Sequence, residues 1–137
     1  MTAKEYLGQA YRLDQCINSK LEQVMSLRDL ATKATSTLSD VAPSGTRNVH
    51  RMEDIIVKIV DLENEINRDI DNLVDLKRDM VSVIKAVTDP EYQTLLELRF
   101  LCFRTWEQIA VDMNYSIQHI YRLYDKALKE ITPPSVA

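Results

Sequence analysis

Ser116, Ile117, Gln118, His119, Tyr121, Arg122 and Lys126 fall in one short stretch of the chain, and their side chains suit the surface of a DNA duplex. Gln118 and Arg122 can each offer a two-pronged contact to a base edge, and Ile117 can meet a thymine methyl group. Lys126, with Lys129 beyond it, is placed for phosphate contacts, which position a protein without reading sequence. His119 can bond a base or a phosphate, which would make binding sensitive to pH; it can equally be an exposed residue without a role. Tyr121 either touches the DNA backbone or packs against Tyr115. Arg122 is the strongest of the set, because its planar fork fits guanine and phosphate geometry.

Other chemistry finds little support. Cys16 and Cys102 lie far apart with no CxxC spacing and no histidine at ligand distance, so no metal site is expected. Cys102 stands in an apolar run and is expected in the core. There is no glycine-rich phosphate loop, and the only histidines are His50 and His119, so neither a cofactor nor an enzymatic activity is expected. Glu53 with Asp54, and Glu63 with Glu65, read as solvated helix faces rather than acid–base pairs. No apolar run approaches the ~18 residues of a membrane span. Without a leader-like stretch or a paired-cysteine framework, the expected location is a reducing cytoplasm.

Side chains of this kind need a scaffold, and the segment from Asp89 onward supplies one. Asp89 is an acidic cap and Pro90 suits the first turn of a helix, where its missing N–H costs nothing. Leu95, Leu96, Leu98, Leu101 and Cys102 then give that helix an apolar face. Thr105 and Gln108 have capping-box spacing, so a second helix is predicted from Trp106, burying Trp106, Ile109, Ala110 and Met113. Asn114 tolerates the left-handed conformation that ends helices. Ser116 caps a third helix running from Ile117 to about Ile131, with Ile120, Leu123, Ala127, Leu128 and Ile131 inward. Two helices joined by so short a turn form a helix-turn-helix.

The stretch WEQIAVDMNYSIQHIYRLYDKALKEI resembles the helix-turn-helix of region 4 of bacterial sigma factors. The shared pattern is an aromatic opener, an acidic-polar pair, Ile-Ala, a turn, a Ser cap and a closing Lys-Ala-Leu. Over nearly all of residues 1–132 the chain also resembles a family of small phage and prophage proteins of Gram-positive bacteria. INSKLEQ, LATKATSTLSD, HRMEDIIVKIVDLE, LVDLKRDM and LLELRFLCFRTWEQIA carry that likeness. It implies a sigma-like protein or phage late-gene transcriptional activator, with promoter DNA and host RNA polymerase as partners in a bacterial cytoplasm. Two positions depart from the pattern: Asn114 stands where glycine is usual, and Ile117 where sigma factors carry arginine.

Charge bounds what such a module can do alone. The chain of 137 residues carries a net charge of −4. From Asp89 onward five Lys and Arg face seven Asp and Glu, so the reading segment itself is −2. A protein that neutralises few phosphates binds DNA weakly and loses affinity as salt rises. Weak contacts still combine when the protein is dimeric or sits beside polymerase. The alternative is a helical interaction module acting on RNA polymerase or another protein without binding DNA on its own.

The rest of the chain reads as a helical hairpin. Ala10, Ile17, Val24, Ala31 and Leu38 recur every seven residues, with Leu13 and Leu27 between them. Pro43 and Gly45 break the pattern. Met52, Ile59, Ile66, Leu73, Met80 and Val87 then repeat at the same interval, a coiled-coil-like seam. Ile56, Ile70 and Ile84 widen one flank of it, and Ile55, Leu62, Leu76 and Val83 the other. A hairpin needs only a narrow seam, so the surplus is expected to pair two copies of the chain; the alternative is that the C-terminal helices fold back over it. The expected fold is all-α: a long antiparallel hairpin over 1–88 with a turn near 41–48, a helix-turn-helix domain over 89–132, and a tail over 133–137.

Overall fold

The computed structural model describes residues 1–40 and 45–134, and the side chains of 1–35 and 49–134. The protein is all-α, and no strand occurs among the described residues. Two long helices, α1 (Ala3–Asp40) and α2 (Gly45–Lys85), pack together. Three short ones follow: α3 (Pro90–Leu96), α4 (Trp106–Met113) and α5 (Ile117–Lys129), with a π-turn at Glu97–Leu101 between α3 and α4. Of the turn expected near 41–48, residues 41–44 lie outside the described residues, and α2 is already helical from Gly45.

The start of α1 is fixed by a side-chain cap. Thr2 Oγ1 accepts from the Glu5 amide and the Glu5 carboxylate accepts from the Thr2 amide, both at 3.2 Å, a reciprocal capping box. The chain then divides into two compact units, with the division falling inside both long helices.

One unit comprises Met1–Asp14 and the chain from Leu73 onward. Its core joins Tyr6, Leu7 and Ala10 of α1 to Met80 and Ile84 of α2 and to Leu95, Leu96, Phe100, Ile109, Ile120, Leu123, Ala127 and Ile131. Leu7, Met80, Ile84, Leu95, Leu96, Ile109 and Ile120 are fully enclosed. Each such side chain stabilises the fold by about 1.5–3 kcal/mol relative to leaving it in water. The C-terminal helices therefore do not form a core by themselves; they share one with the first turns of α1 and the last turns of α2. Ile84, expected on the surplus flank, is covered here.

The other unit, Gln15–Asn72, holds the middle of the hairpin. Lys20 pairs with Asp69 at 2.6 Å and Arg28 with Glu63 at 2.7 Å. Partner numbers fall as the α1 numbers rise, so the helices are antiparallel. The seven-residue seam is visible: Ile17, Val24 and Ile66 are buried, and Ala31, Met52 and Ile59 are half-buried. The side chain of Leu38 lies outside the described residues. Taking Ala10 and Met52 as first heptad positions, Arg28 and Glu63 both fall in the fifth. Their ion pair places the fifth-position flanks of the two helices on the same side. Leu21, Ile56 and Ile70 occupy that same position, Met25 and Val60 lie next to it, and all five are exposed.

Cys102 is not a core residue; it is exposed. The spacing that put it inward assumes an α-helical repeat, and the chain leaves that repeat at Glu97. There the hydrogen bonds span five residues instead of four, as in Cys102 N to Glu97 O at 3.0 Å, and the face rotates. Phe100 takes the buried place instead, and Phe103 packs against the core.

Candidate nucleic-acid interface

The helix-turn-helix is assembled from local hydrogen bonds. At the start of α4, Thr105 Oγ1 accepts from the Gln108 amide at 3.2 Å and Gln108 Oε1 accepts from the Thr105 amide at 3.0 Å. This is the capping box the spacing predicts. At its end Asn114 adopts the left-handed conformation, with φ 60°. The Tyr115 amide then donates to the Ala110 carbonyl at 3.0 Å and the Asn114 amide to that of Val111 at 3.2 Å. These two bonds make a Schellman closure, which satisfies carbonyls a helix end would otherwise leave open. Ser116 Oγ accepts from the His119 amide at 3.2 Å and opens α5. Only Asn114, Tyr115 and Ser116 separate the two helices.

Ile109 is fully buried between these elements, while Trp106, Ala110 and Met113 are half-buried. On α5 the inward stripe is Ile120, Leu123, Ala127 and, just past its end, Ile131, with Leu128 half-buried. That stripe leaves Gln118, Arg122 and Lys126 exposed. Gln118 and Arg122 are four residues apart and share one face. Ile117 is half-buried, and the Ser116 hydroxyl is used by the cap. His119 and Tyr121 are drawn to the sides. The His119 ring stands edge-on to Tyr115 with centroids 4.4 Å apart, and Tyr121 stands edge-on to Trp106 at 5.5 Å. Tyr121 thus packs, but on Trp106 and not on Tyr115.

Two arginines near the module serve the fold. Arg99 lies 4.5 Å over the Trp106 ring and donates to the Arg104 carbonyl at 2.9 Å. Arg104 pairs with Asp112 across α4. The exposed face of α5 also holds a residue the sequence reading did not weigh. Asp125 lies three residues after Arg122 and four before Lys129, so a carboxylate sits between the two cations. Helical spacing alone carries that signal.

Tyrosine ionisation reports on the surroundings of the module. The Glu91 carboxylate, which accepts a hydrogen bond from the Tyr115 hydroxyl, pushes that tyrosine up from its ordinary value. Burial raises Tyr124, with Arg99 opposing the shift. No group of three or more metal-ligating side chains occurs among the described residues. None of their helices is long and apolar enough to cross a membrane.

The chain matches a protein-family model described as "Protein of unknown function (DUF1492)" over residues 32–132. No curated protein and no solved structure matches it. The matched span takes in α2 to α5 and the end of α1, well over half of the sequence, so the chain belongs to the DUF1492 family.

Proposed function

We propose that the protein is a sequence-specific DNA-binding transcriptional regulator that sets the start of α5 into a major groove, in the manner of a sigma-like phage activator. One observation carries the reading: a capped α4, a three-residue left-handed turn and a capped α5 leave Gln118 and Arg122 side by side in solvent. A helix presented in this way is the reading element of helix-turn-helix proteins, and Gln and Arg are suited to base edges. Lys126 and Lys129, further along α5, serve the phosphate backbone. Ile117, Ser116, His119 and Tyr121 shape the contact from its rim. The site of action is the cytoplasm of a bacterial host.

Two copies act together in this proposal. Leu21, Met25, Ile56, Val60 and Ile70 form an uncovered apolar flank on the hairpin, and a second copy would cover it. Dimerisation would let two weak reading helices add their contacts.

A second reading is favoured by charge. The segment from Asp89 onward is −2, and Asp125 stands between Arg122 and Lys129 on the face that would meet phosphate. These features fit a module that works on RNA polymerase or another protein without binding DNA alone. Titrating wild type and Arg122→Ala against labelled promoter fragments, with and without host RNA polymerase, separates the two. Under the first reading the substitution weakens binding by about 1–3 kcal/mol in the absence of polymerase. Equal binding by both proteins removes Arg122 from recognition.

A further inference from the structure

A cavity of about 400 Å³ opens beside α4 and α5, walled by Tyr11, Phe100, Phe103, Trp106, Tyr121 and Tyr124. Lys4 and Arg99 also line it, and no acidic side chain does. In a chain of net charge −4 this is a local cationic, aromatic hollow.

Three features that cost stability meet at its wall. Gly8 lies inside α1, where glycine weakens a helix, and a Cβ built there would meet nothing within 4 Å. No close neighbour requires the glycine, and its effect is to leave the hollow open. Phe103 has φ 57°, an unfavourable conformation for a bulky side chain, and that backbone holds its ring at the rim. The π-turn at Glu97–Leu101 carries Arg99 and Phe100 into the lining. Local strain of this kind collects at ligand sites, and π-turns do the same.

We infer that this cavity docks an acidic peptide segment of a protein partner, with one aromatic or large aliphatic side chain as its anchor. The aromatic walls take the anchor as interface pockets take hot-spot side chains. Lys4 and Arg99 attract the flanking carboxylates and would repel a basic segment. The inference rests on the cavity and not on α5 meeting DNA, so its test contains no duplex.

Trp106 is the single tryptophan of the chain and lines the cavity, so its fluorescence reports occupancy directly. The probe is a synthetic pentapeptide with a central Phe between Glu pairs, titrated into the full-length protein. The expected result is a saturable change, weakened at least about tenfold by an Ala anchor, by Lys in place of Glu, or by Gly8→Leu. Lys4→Glu should shift preference toward the Lys-flanked peptide. Gly8→Leu should keep or raise the thermal midpoint, so its loss of binding is not unfolding. No saturation at millimolar peptide, or equal binding of Glu- and Lys-flanked peptides, overturns the inference. Saturation by single-stranded oligothymidine with none by the peptide overturns it too, as does a Trp106 signal that depends only on protein concentration.

Discussion

The Lys77 ammonium lies 4.6 Å above the centroid of the Phe103 ring and donates to the Leu101 carbonyl at 3.1 Å. One side chain of α2 thus secures both the end of the π-turn and the residue whose backbone is left-handed just after it. The Tyr11 ring meets the same phenyl group edge-on at 5.6 Å. The loop that leads into α4 is therefore held by the long helices, and α4 in turn positions α5.

Lys77→Met keeps much of the apolar stem and removes the ammonium. It should lower stability by about 1–3 kcal/mol, combining a lost partly buried hydrogen bond with a lost cation–π contact. Urea denaturation followed by far-ultraviolet circular dichroism measures this. A midpoint equal to that of wild type would mean that Lys77 does not anchor the loop.

Asn114 and Ser116 set the turn. Asn114→Gly should be neutral or slightly stabilising, because glycine adopts a φ of 60° without the Cβ penalty. Asn114→Val should cost about 1–2 kcal/mol at the same position. Ser116→Ala should cost about 1 kcal/mol, and Ser116→Asp should restore most of it. Thermal midpoints of the four variants check the order.

Ile66 and Ile70 lie one turn apart on α2 with opposite fates, the first buried and the second 41% exposed. Ile66→Asp should unfold the hairpin, because it buries an unpaired charge. Ile56→Lys with Ile70→Lys should leave helicity intact and halve the mass in sedimentation equilibrium. A wild-type protein that sediments as a monomer at all concentrations contradicts pairing through this flank.

Alkaline pH should destabilise the fold by a predictable route. Burial and Asp79 raise Tyr6, burial raises Tyr124, and the hydrogen bond to Asp69 raises Lys20, each above its ordinary value. Groups raised in the folded state give stability that is whole below their unfolded values, 10.0 for tyrosine and 10.5 for lysine. That stability is lost as pH rises through the higher folded values. Tyrosinate absorbance should therefore lag behind that of free tyrosine and then rise together with loss of helicity. Glu91→Gln should bring Tyr115 down toward 10.0, seen in the same titration.

Where the backbone follows a regular repeat, the residues announced the structure. The caps at Asp89, Thr105 and Ser116 and the left-handed Asn114 are local events, set by side chains within three or four positions. The seams through Ile17, Val24 and Ile66 follow from a constant spacing. Legibility ends at Glu97, where the π-turn adds a residue to the helical repeat and sends Phe100 inward in place of Cys102. No local signal marks that change; it is stabilised by tertiary contacts from Lys77 and Tyr11. The sharing of one core by the ends of α1 and α2 and the C-terminal helices was equally hidden, since periodicity shows that a face is apolar and not what covers it. On the exposed face of α5, spacing brings Gln118 and Arg122 together, whereas the ring contact of Tyr121 with Trp106 emerges only from the packing of α4 on α5, and that of His119 with Tyr115 from the turn between them.

In the proposed function α5 reads DNA. This is tested most directly by mapping genomic fragments retained by the purified protein at low salt, beside Arg122→Ala and with host RNA polymerase present or absent. The expected result is a discrete site bound by the wild-type protein without polymerase and weakened by the substitution. No enrichment under any condition would contradict it.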